Sequence, residues 1–215
     1  MDEKICYIVG AGDYHGLEFT PNPGDYVIGA DGGLEYLERS GLSTDLVVGD
    51  FDSLGKYPEY PNVVPLSREK DDTDTFAAVR EGIKLGYKNF RLYCCTGGRI
   101  EHTLANIQLL AYMAENNLRG WLVGKDSIMT AVTDNSVNFA PYSGGYISVF
   151  SHSEKSTGVF LKGLKYELED AVMTNTFPVG VSNEFIGRES TVTVGKGTLL
   201  IVCPKETREK SRGIL

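Results

Sequence analysis

The stretch Phe90-Arg91-Leu92-Tyr93-Cys94-Cys95-Thr96-Gly97-Gly98-Arg99-Ile100-Glu101-His102 carries an apolar strand into a glycine-rich turn and out into a helical period. The period continues to Asn116, with Leu104, Ile107, Ala111 and Ala114 on one face. The same order of strand, small or acidic loop and helix recurs upstream. Ile5–Val9, Tyr26–Ala30, Leu46–Gly49 and Val63–Leu66, together with Phe90–Thr96 and Trp121–Val123, read as buried strands. Gly33–Ser40, stopped by Gly41, reads as a helix. So does Thr73–Leu85, with Phe76, Val79 and Ile83 at i, i+3 and i+7. Strands joined through helices need crossover connections, and these give a mainly parallel sheet covered by helices.

Past Lys125 no long helical period survives, and Val, Thr, Ser and Gly become frequent. Ser127–Thr133, Tyr146–Phe150, Gly158–Leu161, Thr191–Val194 and Thr198–Val202 read as antiparallel strands joined by turns. The expected fold class is therefore α/β, with an N-terminal mainly parallel sheet flanked by helices over residues 1–124. A C-terminal antiparallel β-sandwich over residues 125–215 should follow, large enough to bury its own core. From Lys205 onward the sequence is polar and reads as a frayed tail.

Charge narrows the function classes. The 215 residues hold 29 acidic and 21 basic side chains, a formal net charge of −8. Such a surface repels polyanions and lacks the basic face of a membrane-surface helix, so nucleic acid and membranes are not expected partners. No apolar run approaches a bilayer span and the first residues lack a signal-peptide pattern, which makes the cytoplasm the expected location. Cys6, Cys94, Cys95 and Cys203 show no metal-ligand spacing and lie in apolar segments, as buried reduced thiols do.

Four loops follow apolar strands and carry small or acidic residues. They are Ala30-Asp31-Gly32-Gly33, Gly49-Asp50-Phe51-Asp52-Ser53, Lys70-Asp71-Asp72-Thr73-Asp74 and Thr96-Gly97-Gly98-Arg99-Ile100-Glu101-His102. Parallel strands put such loops along one sheet edge, where open α/β folds bind ligands. Asp50 and Asp52 stand at i, i+2, on one side of an extended segment, and a cation is what would let them and Asp74 gather. Oxygen ligands favour magnesium, manganese or calcium, and a phosphate substrate favours magnesium.

Each loop also has a plain structural reading. Asp71 or Asp72 can be a helix N-cap, GDFDS a solvated turn, and Thr96–Arg99 a tight strand-to-helix turn. Arg99 tilts that last loop toward anion binding at a helix start. Gly10-Ala11-Gly12-Asp13-Tyr14-His15-Gly16 only partly matches a dinucleotide fingerprint, its third glycine falling one place late, and no P-loop is present. His15 and His102 build no nucleophilic triad, which leaves metal-assisted phosphoryl chemistry.

Taken together with Ser182-Asn183-Glu184-Phe185, these motifs resemble those of the thiamin pyrophosphokinase family, in order, from about residue 8 to about residue 202. The resemblance implies transfer of a pyrophosphoryl group from ATP to the thiamine hydroxyl, with AMP released. It also implies a homodimer with active sites at the subunit interface. Magnesium then maps onto Asp50, Asp52 and Asp74, while Arg99 clamps phosphate. Asp31, Thr73, Gly97, Gly98, Glu101 and His102 join the substrate site, and Ser182 and Asn183 join the thiamine pocket. Asp71 or Asp74 accepts the hydroxyl proton, and Phe185 is the candidate for stacking on the pyrimidine. The chain departs from the family at Glu101, where Asp is usual.

Other readings of the same carboxylates are a kinase acting on another small alcohol, a metal-dependent phosphohydrolase, and a nucleotide-binding module without turnover. Residues 45–74 hold 8 acidic side chains against 3 basic ones. That segment suits a metal ion and the cationic thiazolium ring.

Overall fold

The computed structural model describes residues 4–51, 59–67 and 71–207. The chain forms two compact units, Met1–Leu109 with Leu118–Gly124, and Leu110–Asn117 with Lys125–Leu215.

In the first unit the strands are β1 (Ile5–Val9), β2 (Tyr26–Ala30), β3 (Leu46–Gly49), β4 (Val63–Pro65), β5 (Asn89–Tyr93) and β6 (Arg119–Val123). Interleaved with them are helices α1 (Gly33–Arg39), α2 (Asp74–Lys84) and α3 (Ile100–Glu115), the last of which belongs to the second unit from Leu110 onward. The strands lie in the order β6-β5-β1-β2-β3-β4, and every neighbouring pair is parallel. Buried apolar runs such as Cys6–Val9 and Leu46–Val48 account for this, because a parallel strand is covered on both faces. From β1 the chain builds outward through β2, β3 and β4, then returns to the other side of β1 with β5. The strand order thus reverses between β1 and β5, and a crevice opens there at the carboxyl edge.

The second unit continues with β7 (Ser127–Thr133), β8 (Ser136–Phe139), β9 (Ser143–Ser151) and β10 (Lys155–Lys162), then β11 (Leu168–Thr174), β12 (Gly180–Ile186), β13 (Ser190–Thr193) and β14 (Thr198–Pro204). They form two antiparallel sheets, β12-β9-β14-β7 and β11-β10-β13-β8. Alternation along β7 and β14 buries Ile128, Val132, Leu199, Ile201 and Cys203, while Phe139, Val159, Leu161 and Val192 are among the buried residues of the other sheet.

Strands β8, β11 and β12 were not expected from the sequence. The fraying expected from Lys205 does not begin there either, since Lys205 and Thr207 are buried. No helix among the described residues is long and apolar enough to cross a membrane.

Candidate active site

A cavity of about 320 Å³ occupies the carboxyl edge of the parallel sheet. The loop after β1 contributes Ala11 and Gly12, the end of β2 contributes Ala30 and Asp31, and the start of α2 contributes Asp74 and Thr75. Cys94, Cys95, Gly97, Gly98 and Arg99 follow β5, and the first turns of α3 supply His102 and Asn106. The reversal of strand order produces this site, because chains leaving β1 and β5 diverge above the sheet.

The wall is built from backbone contacts. Gly10 N donates to Tyr93 O at 2.9 Å, Gly12 N to Cys94 O at 2.7 Å, and Asp13 N to Thr96 O at 2.9 Å. Tyr36 of α1 donates its hydroxyl to Gly12 O at 3.0 Å and pins the loop from the other side. A Cβ at Gly12 would collide with the carbonyl oxygens of Thr96 and Cys94, so the loop lies this close only because residue 12 is glycine. The partial dinucleotide fingerprint thus supplies one wall of the cavity.

Six of the residues singled out from the sequence meet here: Asp31, Asp74, Gly97, Gly98, Arg99 and His102. Asp31 takes a left-handed conformation at the end of β2 (φ 49°) and donates its N–H to Val48 O at 2.8 Å. Asp74 opens α2, where its negative charge suits the helix dipole. Thr73 is the N-cap, its Oγ1 accepting from Phe76 N at 3.2 Å. The cap role considered for Asp71 or Asp72 falls instead to Thr73, while Asp72 pairs with Arg80. Asp71 is exposed and does not line the cavity.

Asp50 follows β3 and does not line it either. The extended backbone expected between Asp50 and Asp52 is not adopted at Phe51. Phe51 has φ 58° and buries its ring with Leu34 and Val47, so the loop turns at that residue. Asp52 lies outside the described residues. Among the described residues no three His, Cys, Asp or Glu side chains gather closely enough to hold a metal. The carboxylates that do line the cavity, Asp31 and Asp74, are oxygen donors of the kind a hard dication takes.

Arg99 and Glu101 are both exposed, with Nε to Oε1 at 2.7 Å. The Glu101 carboxyl is held below its ordinary range, first by its own backbone N–H and then by Arg99. The longer side chain of Glu101 thus reaches back to the guanidinium. Burial pushes the Cys94 thiol up to about 11 and the Cys95 thiol up to about 12, so neutral thiols back the cavity.

In the second unit Ser182 is exposed and left-handed (φ 57°), at an irregularity in the pairing of β12 with β9. Asn183 is 3% exposed. Its Oδ1 accepts from Tyr166 N at 2.9 Å, and its Nδ2 donates to Tyr166 O at 2.6 Å. The amide therefore clamps the backbone of Tyr166, a residue 59% exposed. Phe185 is not free to stack on a ligand. It is 3% exposed and packs edge-on against Phe139 and Tyr142. Sequence reasoning missed Thr75 and Asn106, which line the cavity.

A parallel α/β unit with an anion-ready crevice, followed by a β-sandwich, defines a two-part phosphotransferase. Residues 21–122 match the family described as thiamin pyrophosphokinase, catalytic domain, and residues 134–199 match thiamin pyrophosphokinase, vitamin B1 binding domain. The chain belongs to the thiamin pyrophosphokinase family. The thiamine pyrophosphokinase of Bacillus subtilis (strain 168) is 28% identical over 182 residues, covering 81% of this chain and 85% of that protein. The crystal structure of the B. subtilis enzyme superposes with a TM-score of 0.80 at 26% identity, over 94% of this chain and 100% of that one. Yeast thiamin pyrophosphokinase, at 15% identity, shares the fold with a TM-score of 0.73, over 95% of this chain and 87% of that one.

Proposed function

We propose that this chain is a thiamine diphosphokinase that transfers a pyrophosphoryl group from ATP to thiamine, giving thiamine diphosphate and AMP. The observation that carries the proposal is the convergence of Asp31, Asp74, Gly97, Gly98 and Arg99, from separated segments, on one cavity. The thiamine hydroxyl oxygen bonds to the β-phosphorus, and the bond from that phosphorus to the oxygen bridging to the α-phosphate breaks. The electron pair leaves on AMP, while the hydroxyl proton passes to Asp71 or Asp74. Arg99 and the Gly97–Gly98 backbone meet the phosphate oxygens and stabilise charge as it shifts to the leaving group.

Asp74 and Asp31 would hold magnesium, with Asp50 and Asp52 supplied by the neighbouring loop. Bound there, magnesium neutralises phosphate charge in a cavity whose carboxylates would otherwise repel ATP. Glu101 keeps Arg99 oriented. In the second unit, Tyr166 and Ser182 form the thiamine face, and Asn183 holds Tyr166 in place. The first unit is thus the ATP and magnesium domain and the second the thiamine domain.

The active form is a homodimer with sites completed across the subunit interface. Exposed apolar side chains on the second unit support this: Tyr146 on β9, Phe177 and Val179 ahead of β12, and Val181 and Ile186 within it. A soluble monomer rarely leaves such a set uncovered. Four free, buried cysteines suit the reducing cytoplasm, where we place the enzyme.

Incubation with ATP, Mg²⁺ and thiamine, followed by mass analysis, should yield AMP and thiamine diphosphate in equal amounts. ADP with thiamine monophosphate, or phosphate released without acceptor, would replace this reading with a simple kinase or a hydrolase.

A further inference from the structure

Asn106 is 5% exposed and lines the cavity from the second turn of α3, one helical turn beyond His102. Its Nδ2 donates to the Cys95 carbonyl oxygen at 2.8 Å. A carbonyl oxygen only accepts, so this bond fixes the amide's orientation, with nitrogen toward Cys95 and Oδ1 turned away. Cys95 O is the side-chain amide's one hydrogen-bond partner among the described residues. Oδ1 is also absent from the sealed polar atoms that lack partners, so it is reached from the cavity. Open to the cavity, Oδ1 is served by water until a ligand displaces it, and a ligand group that cannot donate there loses that bond.

The chemistry of the donor can be narrowed. Triphosphate oxygens at neutral pH accept and do not donate, so they cannot satisfy Oδ1. A cation is better served by the carboxylates of Asp31 and Asp74, on the same cavity wall. A neutral N–H or O–H remains, and ATP carries these as the 6-amino group of adenine and the ribose hydroxyls.

We propose that Asn106 is a nucleotide-binding residue whose Oδ1 accepts a hydrogen bond from a neutral donor of ATP, either the 6-amino group or a ribose hydroxyl. The proposal rests on reading the cavity as the ATP site. It goes further by assigning a specificity contact to a residue that the glycine, arginine and carboxylate motifs do not include.

Steady-state kinetics with thiamine would compare ATP, purine riboside triphosphate, 2′-deoxy-ATP and 3′-deoxy-ATP as donors. The wild-type enzyme should show a KM raised at least about tenfold for the analogue that lacks the contacted group. In Asn106→Ala the KM for ATP should rise to about the same level, and that analogue should lose its disadvantage while the others keep their ratios to ATP. Asn106→Ser, with a shorter polar side chain, serves where the alanine variant does not fold. A wild-type enzyme that treats all four nucleotides alike overturns the proposal without any variant. So does a variant that worsens all four by one common factor, as a packing defect would. Absence of AMP from wild-type enzyme with ATP and thiamine would remove the underlying reading as well. AMP formation with an unchanged analogue profile removes the role of Asn106 alone.

Discussion

Asp74 is the residue on which most of the proposed chemistry converges, because it both lines the cavity and opens α2. Asp74→Asn keeps the shape and removes the charge, so turnover should fall by at least about a hundredfold, the scale of losing one electrostatic catalytic group. Rates at saturating Mg²⁺ check this, and near-normal activity there would take Asp74 out of the metal and phosphate site. The thiols behind the cavity give a second test. Burial holds Cys95 and Cys203 up at about 12, against 9.0 for a free thiol. Below pH 9 folded and unfolded chains both keep these protons, so stability does not depend on the thiols there. Between pH 9 and 12 the unfolded chain has lost protons that the folded chain retains. Stability should then fall by up to about 1.4 kcal/mol per pH unit for each thiol. Urea midpoints measured from pH 8 to 11 should stay level and then drop, and a Cys95→Ala variant should show a shallower drop.

Among the elements, the loop joining β5 to α3 is the one whose conformation the site depends on most. Gly97 has φ 77°, and a Cβ there would run into the carboxylate of Asp13. Gly98 has φ 56° with open space around it. Gly97→Ala should therefore raise the KM for ATP well beyond Gly98→Ala, by about tenfold or more for roughly 1–3 kcal/mol of strain. Equal effects of the two substitutions would mean that backbone conformation matters and the Asp13 contact does not. At the start of α2, Thr73→Ala should lower unfolding stability by about 1 kcal/mol through loss of the cap, and Thr73→Ser should restore most of it.

The same elements explain what the sequence made legible. Strands β1, β2, β3 and β7 fall where their apolar runs predicted, since buried runs bounded by turn residues leave little choice of register. Strands β11 and β12 escaped notice because they are the outer strands of their sheets and carry strand-poor residues, Glu169 and Asp170 in one, Asn183 and Glu184 in the other. Each also holds a left-handed residue, Asp170 or Ser182, that breaks the alternation. Most of the motif residues at the cavity could be read directly, because glycines, aspartates and an arginine at strand ends have few other uses. Asn106 could not, since one amide within a helical period looks like a solvent-facing residue until the fold buries it. The assignment of Phe185 as a stacking residue failed for the opposite reason. Its place beside a motif suggested a ligand contact, but strand alternation turned it into the core of the sandwich.

At the scale of the whole molecule, the exposed apolar set around β12 and the proposed shared site lead to one test. If the second unit of each subunit completes the cavity of its partner, Asp74→Asn and Ser182→Trp damage different chains of the same site. Each variant alone should be close to inactive. After mixing in equal amounts and subunit exchange, about half of the dimers are hybrids. In a hybrid one site carries both lesions and the other carries neither, so activity should recover to about a quarter of the wild-type level. Sites built within single chains would recover nothing, because every site would keep one lesion whatever its partner. Exchange itself must be verified by native mass spectrometry of tagged subunits, so that a lack of recovery speaks to the site and not to slow dissociation. Phe177→Lys, placed on the apolar set and outside the ATP cavity, gives the companion measurement. Burying a lysine in a closed interface is unfavourable, so this variant should shift sedimentation toward monomer and lose activity in a way that rises again with protein concentration. Activity per chain that stays constant on dilution, in a variant shown to be monomeric, would mean that one subunit suffices.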